Sequence, residues 1–222
     1  MKTFVVYVKG HEKSEQYMNK CIESCHNSNF DAEPFEGVTP ATLNEYTQYP
    51  EIKNGRAECF KSENKKIYET KKSCFTNHVR IWKKCIELNQ PVAFVEQDSS
   101  CIRQWNNQIF NEVLILNISS AFKQPVFDHV MNKPNLDLGV HNYNYSPLFY
   151  RFNNIFQNSL LIPGTGAYAI TPLGAKKLLN ILEKHGWDQS DFFINTKNVN
   201  LQYVTPEYFT FKLKNLNMSY GF

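Results

Sequence analysis

The chain has 222 residues, enough to bury one sizeable core without requiring a second domain. Its 42% hydrophobic and 14% aromatic content excludes a disordered chain, and no apolar stretch approaches the length of a membrane span. The net charge of +3, with lysines scattered among acids, permits a nucleic-acid partner without arguing for one. The first eight residues are too short, and run too soon into Lys9 to Lys13, for a signal peptide, so a cytoplasmic protein is expected. Six cysteines (Cys21, Cys25, Cys59, Cys74, Cys85, Cys101) contain no C-x-x-C pair and read as reduced, structural thiols.

Residues 3–8 are β-branched and aromatic and are broken by Lys9-Gly10-His11, which predicts a first strand and a turn. From Ser14, the positions Tyr17, Met18, Cys21, Ile22 and Cys25 recur at spacings of three and four, predicting a helix that Asn27-Ser28-Asn29 ends. A short extended segment spans 30–38, and 41–66 is weakly patterned and reads mostly as loop. Order returns near Lys72, where Phe75, Val79, Trp82 and Ile86 mark the apolar face of a helix running to Leu88.

Next comes Pro91-Val92-Ala93-Phe94-Val95-Glu96-Gln97-Asp98-Ser99, an apolar run that leads straight into two carboxylates. Such a run suits a strand buried on both faces of a mostly parallel sheet. Ligands in open α/β sheets bind beyond the carboxyl ends of strands, where Glu96 and Asp98 fall. If the chain stays extended, side chains 96 and 98 point one way and Gln97 the other. Two carboxylates aimed at one spot could hold Mg²⁺ or Mn²⁺, with substrate phosphates completing the shell. A solvated acidic turn would account for the same residues.

A short helix over 105–110 and a buried strand over 113–117 are expected to follow. Residues 118–160 are aromatic, polar and irregular, with His141, Tyr143 and Tyr145 offering rings and donors suited to a sugar or a base, or simply packing a loop on the sheet. Gly164-Thr165-Gly166 lets backbone approach a ligand closely, ahead of a strand over 167–170. Thr171 is a good N-cap, Pro172 suits the first helical position, and His185-Gly186 ends that helix. Asp188 and Asp191 fall at the start of a short helix, where an acid is often only a cap. A last strand spans 199–204, closed by Thr205-Pro206.

Three ordered stretches together resemble glycosyltransferase family 25, the lipopolysaccharide-type glycosyltransferases and procollagen galactosyltransferases. Ser73-Cys74-Phe75-Thr76-Asn77-His78-Val79-Arg80-Ile81-Trp82 is similar to the family's Gly-Cys-x-x-Ser-His-x-x-x-Trp/Tyr helix. The Val92 to Asp98 run is similar to its strand ending in Glu-Asp-Asp. Gly164-Thr165-Gly166-Ala167-Tyr168-Ala169-Ile170, followed by Ala175-Lys176-Lys177-Leu178-Leu179, resembles its Gly-Thr-x-x-Tyr-x-Ile/Leu-Ser and Ala-x-x-Leu-Leu. Gln97 departs from the middle acid, Ser73 from a Gly and Asn77 from a Ser.

The resemblance implies a single domain over 1–222 with an α/β, GT-A-like, Rossmann-type, mostly parallel sheet flanked by helices. It also implies a nucleotide-sugar donor, a UDP-sugar first, a divalent metal (Mn²⁺ or Mg²⁺), and inversion at the anomeric carbon. On this basis Glu96 and Asp98 are the expected metal ligands. The donor is expected to meet Val8, Lys9, His78, Glu96, Gln97, Asp98, Gly164, Thr165 and Gly166. Asp191, then Asp188, are the candidates for the base, and His141, Tyr143 and Tyr145 for acceptor contacts. The acceptor would be a glycan of lipopolysaccharide type or a hydroxylated polymer such as hydroxymethylated phage DNA. The alternative is a degenerate relative that keeps the fold and binds a glycan or protein without chemistry.

Overall fold

The computed structural model describes residues 1–46, 65–117, 137–142 and 165–211. Its elements in chain order are β1 (Lys2–Tyr7), α1 (Glu12–His26), β2 (Asp31–Glu36), α2 (Lys65–Leu88), β3 (Val92–Glu96), β4 (Ser99–Cys101) and β5 (Val113–Ile115). They continue with β6 (Gly139–Asn142), β7 (Ala167–Ile170), α3 (Pro172–His185), α4 (Ser190–Phe193), β8 (Leu201–Thr205) and β9 (Phe209–Phe211).

A seven-stranded sheet has the order β2-β1-β3-β7-β5-β8-β6, and β4 pairs with β9 in a separate ribbon. β1 is parallel to β2 and β3, and β5 is parallel to β8. β7 is antiparallel to both β3 and β5, and β6 is antiparallel to β8. Five strands therefore share one direction against β6 and β7, so the mostly parallel α/β sheet expected from the sequence is the one observed.

Both faces of this sheet are covered, which is why its strands are near-continuous apolar runs. Alternate residues sort cleanly. Phe94, Ile115 and Tyr168 join α2 and α3 on one side, whereas Ala93, Val95, Leu114 and Ala169 join α1 on the other. Even-numbered Glu96 continues the side of Phe94, and so emerges beneath α2.

Several elements differ from expectation for identifiable reasons. α1 starts at Glu12 and not at Ser14, because His11 caps it: the Ser14 N–H donates to His11 Nδ1 at 3.3 Å. Ser14 is instead buried and accepts the Val8 N–H at 2.7 Å, closing the turn after β1. α2 begins at Lys65, almost two turns before Lys72. The helix expected over 105–110 is absent: Asn107 has φ +54°, and the Trp105 N–H donates to Ser28 O at 2.8 Å while its ring packs on Phe30 and Tyr208. A strand, β6, lies within the span expected to be irregular. Residues 118–136 and 143–160 of that span, with Tyr143 and Tyr145, lie outside the described residues, as do Gly164 and, in the earlier loop, Cys59.

α3 matches its sequence signals. The Gly174 N–H donates to the Thr171 hydroxyl at 3.2 Å, and Pro172 occupies the first turn. Where Gly174 packs, an added Cβ would lie 2.7 Å from Glu112 O, so only glycine allows this approach.

Candidate active site

β1 and β3 both end at one edge of the sheet, and because β7 runs the opposite way it begins there. The Glu96 N–H donates to Gly166 O at 2.8 Å, and the Ala167 N–H donates to Asn117 Oδ1 at 3.0 Å. Two stretches singled out from the sequence 70 residues apart are thus neighbours. The chain turns at Gln97 and Asp98 and does not stay extended, so the expected alternation fails there. Glu96, Gln97 and Asp98 all line a single cleft, together with Val8 and His78.

The wall opposite the carboxylates is set by Gly37 and Val38, just after β2. The Gly37 N–H donates to Tyr7 O at 2.7 Å. A Cβ on Gly37 would lie 2.9 Å from that same oxygen, so the loop can lie this close only without a side chain. Asn77 on α2 then grips the loop, accepting the Val38 N–H at 2.7 Å and donating to Val38 O at 3.3 Å. Gly37, Val38 and Asn77 were not foreseen as site residues. The one signal was a glycine inside the extended segment predicted over 30–38.

His78 is buried in a polar relay. Trp82 Nε1–H donates to Tyr168 Oη at 2.9 Å, and Tyr168 Oη lies 3.0 Å from His78 Nδ1. The phenol accepts the indole N–H, and donation of its own hydrogen to His78 Nδ1 would leave the imidazole proton on Nε2. The ring stacks on Phe94 with centroids 4.0 Å apart, and burial lowers its pKa to about 3, which favours the neutral form.

The charges of Asp98 and Asp191 act on Glu96. Water reaches Glu96 through the mouth of the cleft, yet the surrounding protein removes most bulk solvation. That loss first, then the charges of Asp98 and Asp191, pushes its pKa up to about 8. Asp98 is raised too, mainly by burial. The Cys74 thiol on α2 also borders the cleft; although the residue is exposed, the protein crowding its thiol, then Glu96 and Asp191, pushes its pKa upward.

Asp191 is held by the chain before β7. Its Oδ1 accepts both the Thr165 N–H at 3.1 Å and the Thr165 hydroxyl at 2.7 Å, and Ser190 Oγ lies 3.1 Å from that hydroxyl. Asp188 sits differently. It is buried, and its Oδ1 accepts the following Gln189 N–H at 2.6 Å.

Lys9 is exposed and pairs with Glu36 at 3.1 Å. His141 is not brought to the cleft. It lies on edge strand β6, four strand spacings or about 19 Å from β3, with Nε2 between Asp137 O and Thr205 Oγ1.

Among the described residues, no three His, Cys, Asp or Glu side chains close around a point as a metal cage. A water-rich Mg²⁺ or Mn²⁺ needs only one or two protein carboxylates. Glu96, resisting ionisation through burial and then the charges of Asp98 and Asp191, and Asp98, resisting it through burial, fit such a cation as its hard oxygen donors.

A carboxylate-edged cleft at the strand ends of an α/β sheet fits a glycosyltransferase, and sequence comparison agrees. The model of glycosyltransferase family 25 (LPS biosynthesis protein) matches residues 1–196, and the chain belongs to that family. No curated protein matches the chain in sequence. Among solved structures it is similar to the galactosyltransferase LgtC, determined with donor and acceptor sugar analogues, at 8% identity over 91% of this chain and 73% of that one, with a TM-score of 0.43. It is also similar to a glycosyltransferase involved in glycosylating the major capsid of PBCV-1, at 10% identity over 82% of this chain and 66% of that one, with a TM-score of 0.30. No helix among the described residues is long and apolar enough to cross a membrane.

Proposed function

We propose that the protein transfers a sugar from a nucleoside-diphosphate sugar, a UDP-sugar first, to a hydroxyl of a glycan acceptor with inversion. The observation that carries this is the Asp191 carboxylate, clamped on Oδ1 by Thr165 and near enough to Glu96 for its charge to raise the Glu96 pKa. With Oδ1 engaged twice, Oδ2 is the oxygen that takes the acceptor's proton. The acceptor oxygen bonds to the anomeric carbon as the bond from that carbon to the diphosphate oxygen breaks. The nucleoside diphosphate leaves with that electron pair, and the hydroxyl proton passes to Asp191.

Glu96 and Asp98 would hold a divalent cation, which neutralises charge gathering on the departing diphosphate. The end of β1 at Val8 and the loop at Gly37 and Val38 border the donor's side of the cleft. His78, neutral and with its proton on Nε2, serves as an uncharged donor there. Backbone at Thr165 and Gly166 flanks the sugar. Asp188 supports the turn that carries Asp191.

Mass spectrometry after incubation with UDP-, GDP- and CDP-sugars and Mn²⁺ tests this directly. One donor should yield transferred or free sugar, and Asp191→Asn should lower transfer by about a hundredfold or more. The same variant should keep the rise in melting temperature that nucleoside diphosphate produces. Undiminished transfer in Asp191→Asn would remove this residue from the reaction.

A further inference from the structure

We propose that a second cavity, on the α1 side of the Glu96 to Asp98 turn, is a saccharide subsite that takes a neutral sugar ring. That this ring belongs to the acceptor glycan rests on the transferase function above; that the cavity binds a sugar does not. The cavity holds about 380 Å³ and lies between α1, with Tyr17, Lys20 and Glu23, and the turn from Gln97 into β4. Small-molecule sites typically span about 300–1,000 Å³, so a sugar ring and part of a second fit within it.

Its position is the first observation. Gln97 and Asp98 line this cavity and the cleft alike, so a molecule seated here extends toward the carboxylates from the side away from α2. A glycan crossing the turn would then have one residue at the reacting edge and another in the cavity.

Its chemistry is the second. Tyr17 supplies a half-buried ring, Gln97 and Asn27 supply amides that both donate and accept, and Glu23 supplies an exposed carboxylate. An aromatic ring among amides and carboxylates suits a body with apolar C–H faces and a rim of hydroxyls. Lys20, its Nζ 5.9 Å from the Tyr17 ring centre, is the single cation among these walls, set against Glu23 and Asp98. With Asp98 committed to the cation in the cleft, Glu23 balances Lys20, and walls without net charge suit a neutral polyol better than a phosphate or a nucleic-acid strand.

The third observation is an unsatisfied hydroxyl. Ser99 borders the cavity, is 5% exposed, and its Oγ has no hydrogen-bond partner. Buried hydroxyls are seldom left so. Neighbouring Ser24, by contrast, is fully used, donating to Cys21 O at 2.7 Å and accepting the Cys101 N–H at 3.0 Å. A Ser99 rotamer that brought its hydroxyl to the cavity would let a sugar hydroxyl satisfy it.

Amide-resolved NMR titration of the full chain with galactose, glucose and N-acetylglucosamine, each to tens of millimolar, tests the proposal. UDP and Mg²⁺ are kept saturating so that the cleft is occupied. At least one sugar should move the amides of Ser24, Asn27, Ser99 and Ser100. Tyr17→Ala should weaken that binding about tenfold, the factor that loss of roughly 1.4 kcal/mol of ring contact brings. Glu23→Ala, at an exposed position, should also weaken it, and neither variant should alter the melting shift caused by UDP. Absence of these amide shifts with all three sugars, shifts confined to Tyr7, Val8 and Gly37, or wild-type affinity in both variants would overturn the subsite. Transfer is read separately: no transfer from any donor, with the titration intact, would sink the transferase function and leave the saccharide site standing.

Discussion

Acidification should destabilise this protein through His78, by an amount that its surroundings set. The ring is 2% exposed, stacked on Phe94, and burial lowers its pKa from 6.5 to about 3. Between those values the unfolded chain binds a proton that the folded chain refuses. Stability therefore rises with pH across this window and falls as the pH drops below about 6.5. At about 1.36 kcal/mol per pH unit, the loss is about 2 kcal/mol by about pH 5 and levels off at about 5 kcal/mol below about pH 3. That is a large share of the roughly 5–15 kcal/mol that separates a folded domain from its unfolded state. Urea unfolding of wild type and His78→Gln over a pH series isolates the effect, since an amide can accept from Tyr168 but does not titrate across this range. Subtracting the two curves cancels other groups, including Glu96, whose pKa raised to about 8 acts oppositely by costing stability as the pH rises toward that value. Wild type should lose about 2 kcal/mol more than the variant between about pH 7 and about pH 5. Equal slopes would refute the neutral, buried imidazole.

Two further substitutions probe the cleft. Thr165→Val removes the 2.7 Å hydroxyl bond to Asp191 and keeps the N–H bond at 3.1 Å, so kcat should fall about tenfold or more with donor affinity nearly unchanged, and Thr165→Ser should restore it. An unaltered kcat in the valine variant would show that the clamp does not position the base. Gly37→Ala forces a methyl to 2.9 Å from Tyr7 O and 3.2 Å from Val6 Cγ1, which should cost about 1–3 kcal/mol and weaken nucleoside diphosphate binding. Unchanged melting temperature with unchanged binding would mean that the loop shifts to make room.

What the sequence disclosed was mostly what local rules govern. The apolar run ending in Glu96, the Thr171-Pro172 start of α3 and its Gly186 end each follow from chain-local physics, and each is where it was expected. Extrapolating one residue further failed, because the alternation that places Glu96 beneath α2 holds only while the chain stays extended, and it turns at Gln97. The segment at 105–110 misled for a related reason: its apolar residues serve a tertiary contact of Trp105 with Phe30 and Tyr208, and Asn107 in a left-handed conformation breaks the helix.

The rest of the site depends on strand direction and order, which no spacing encodes. Had β7 run parallel to β3, Thr165 and Gly166 would lie at the opposite edge of the sheet, about four residues or roughly 13 Å from Glu96. Asp191 would then have no clamp beside the carboxylates. The antiparallel insertion of β7 between β3 and β5 is what joins the two motifs, and it also aligns Tyr168 opposite Phe94, within reach of His78 and Trp82 on α2. His141 shows the converse. Its aromatic, amide-rich neighbourhood suited a sugar, but pairing with Tyr203 on β8 carries it to the far edge, where it bonds Thr205. Composition names the chemistry a segment could perform, and sheet order decides which partners it meets.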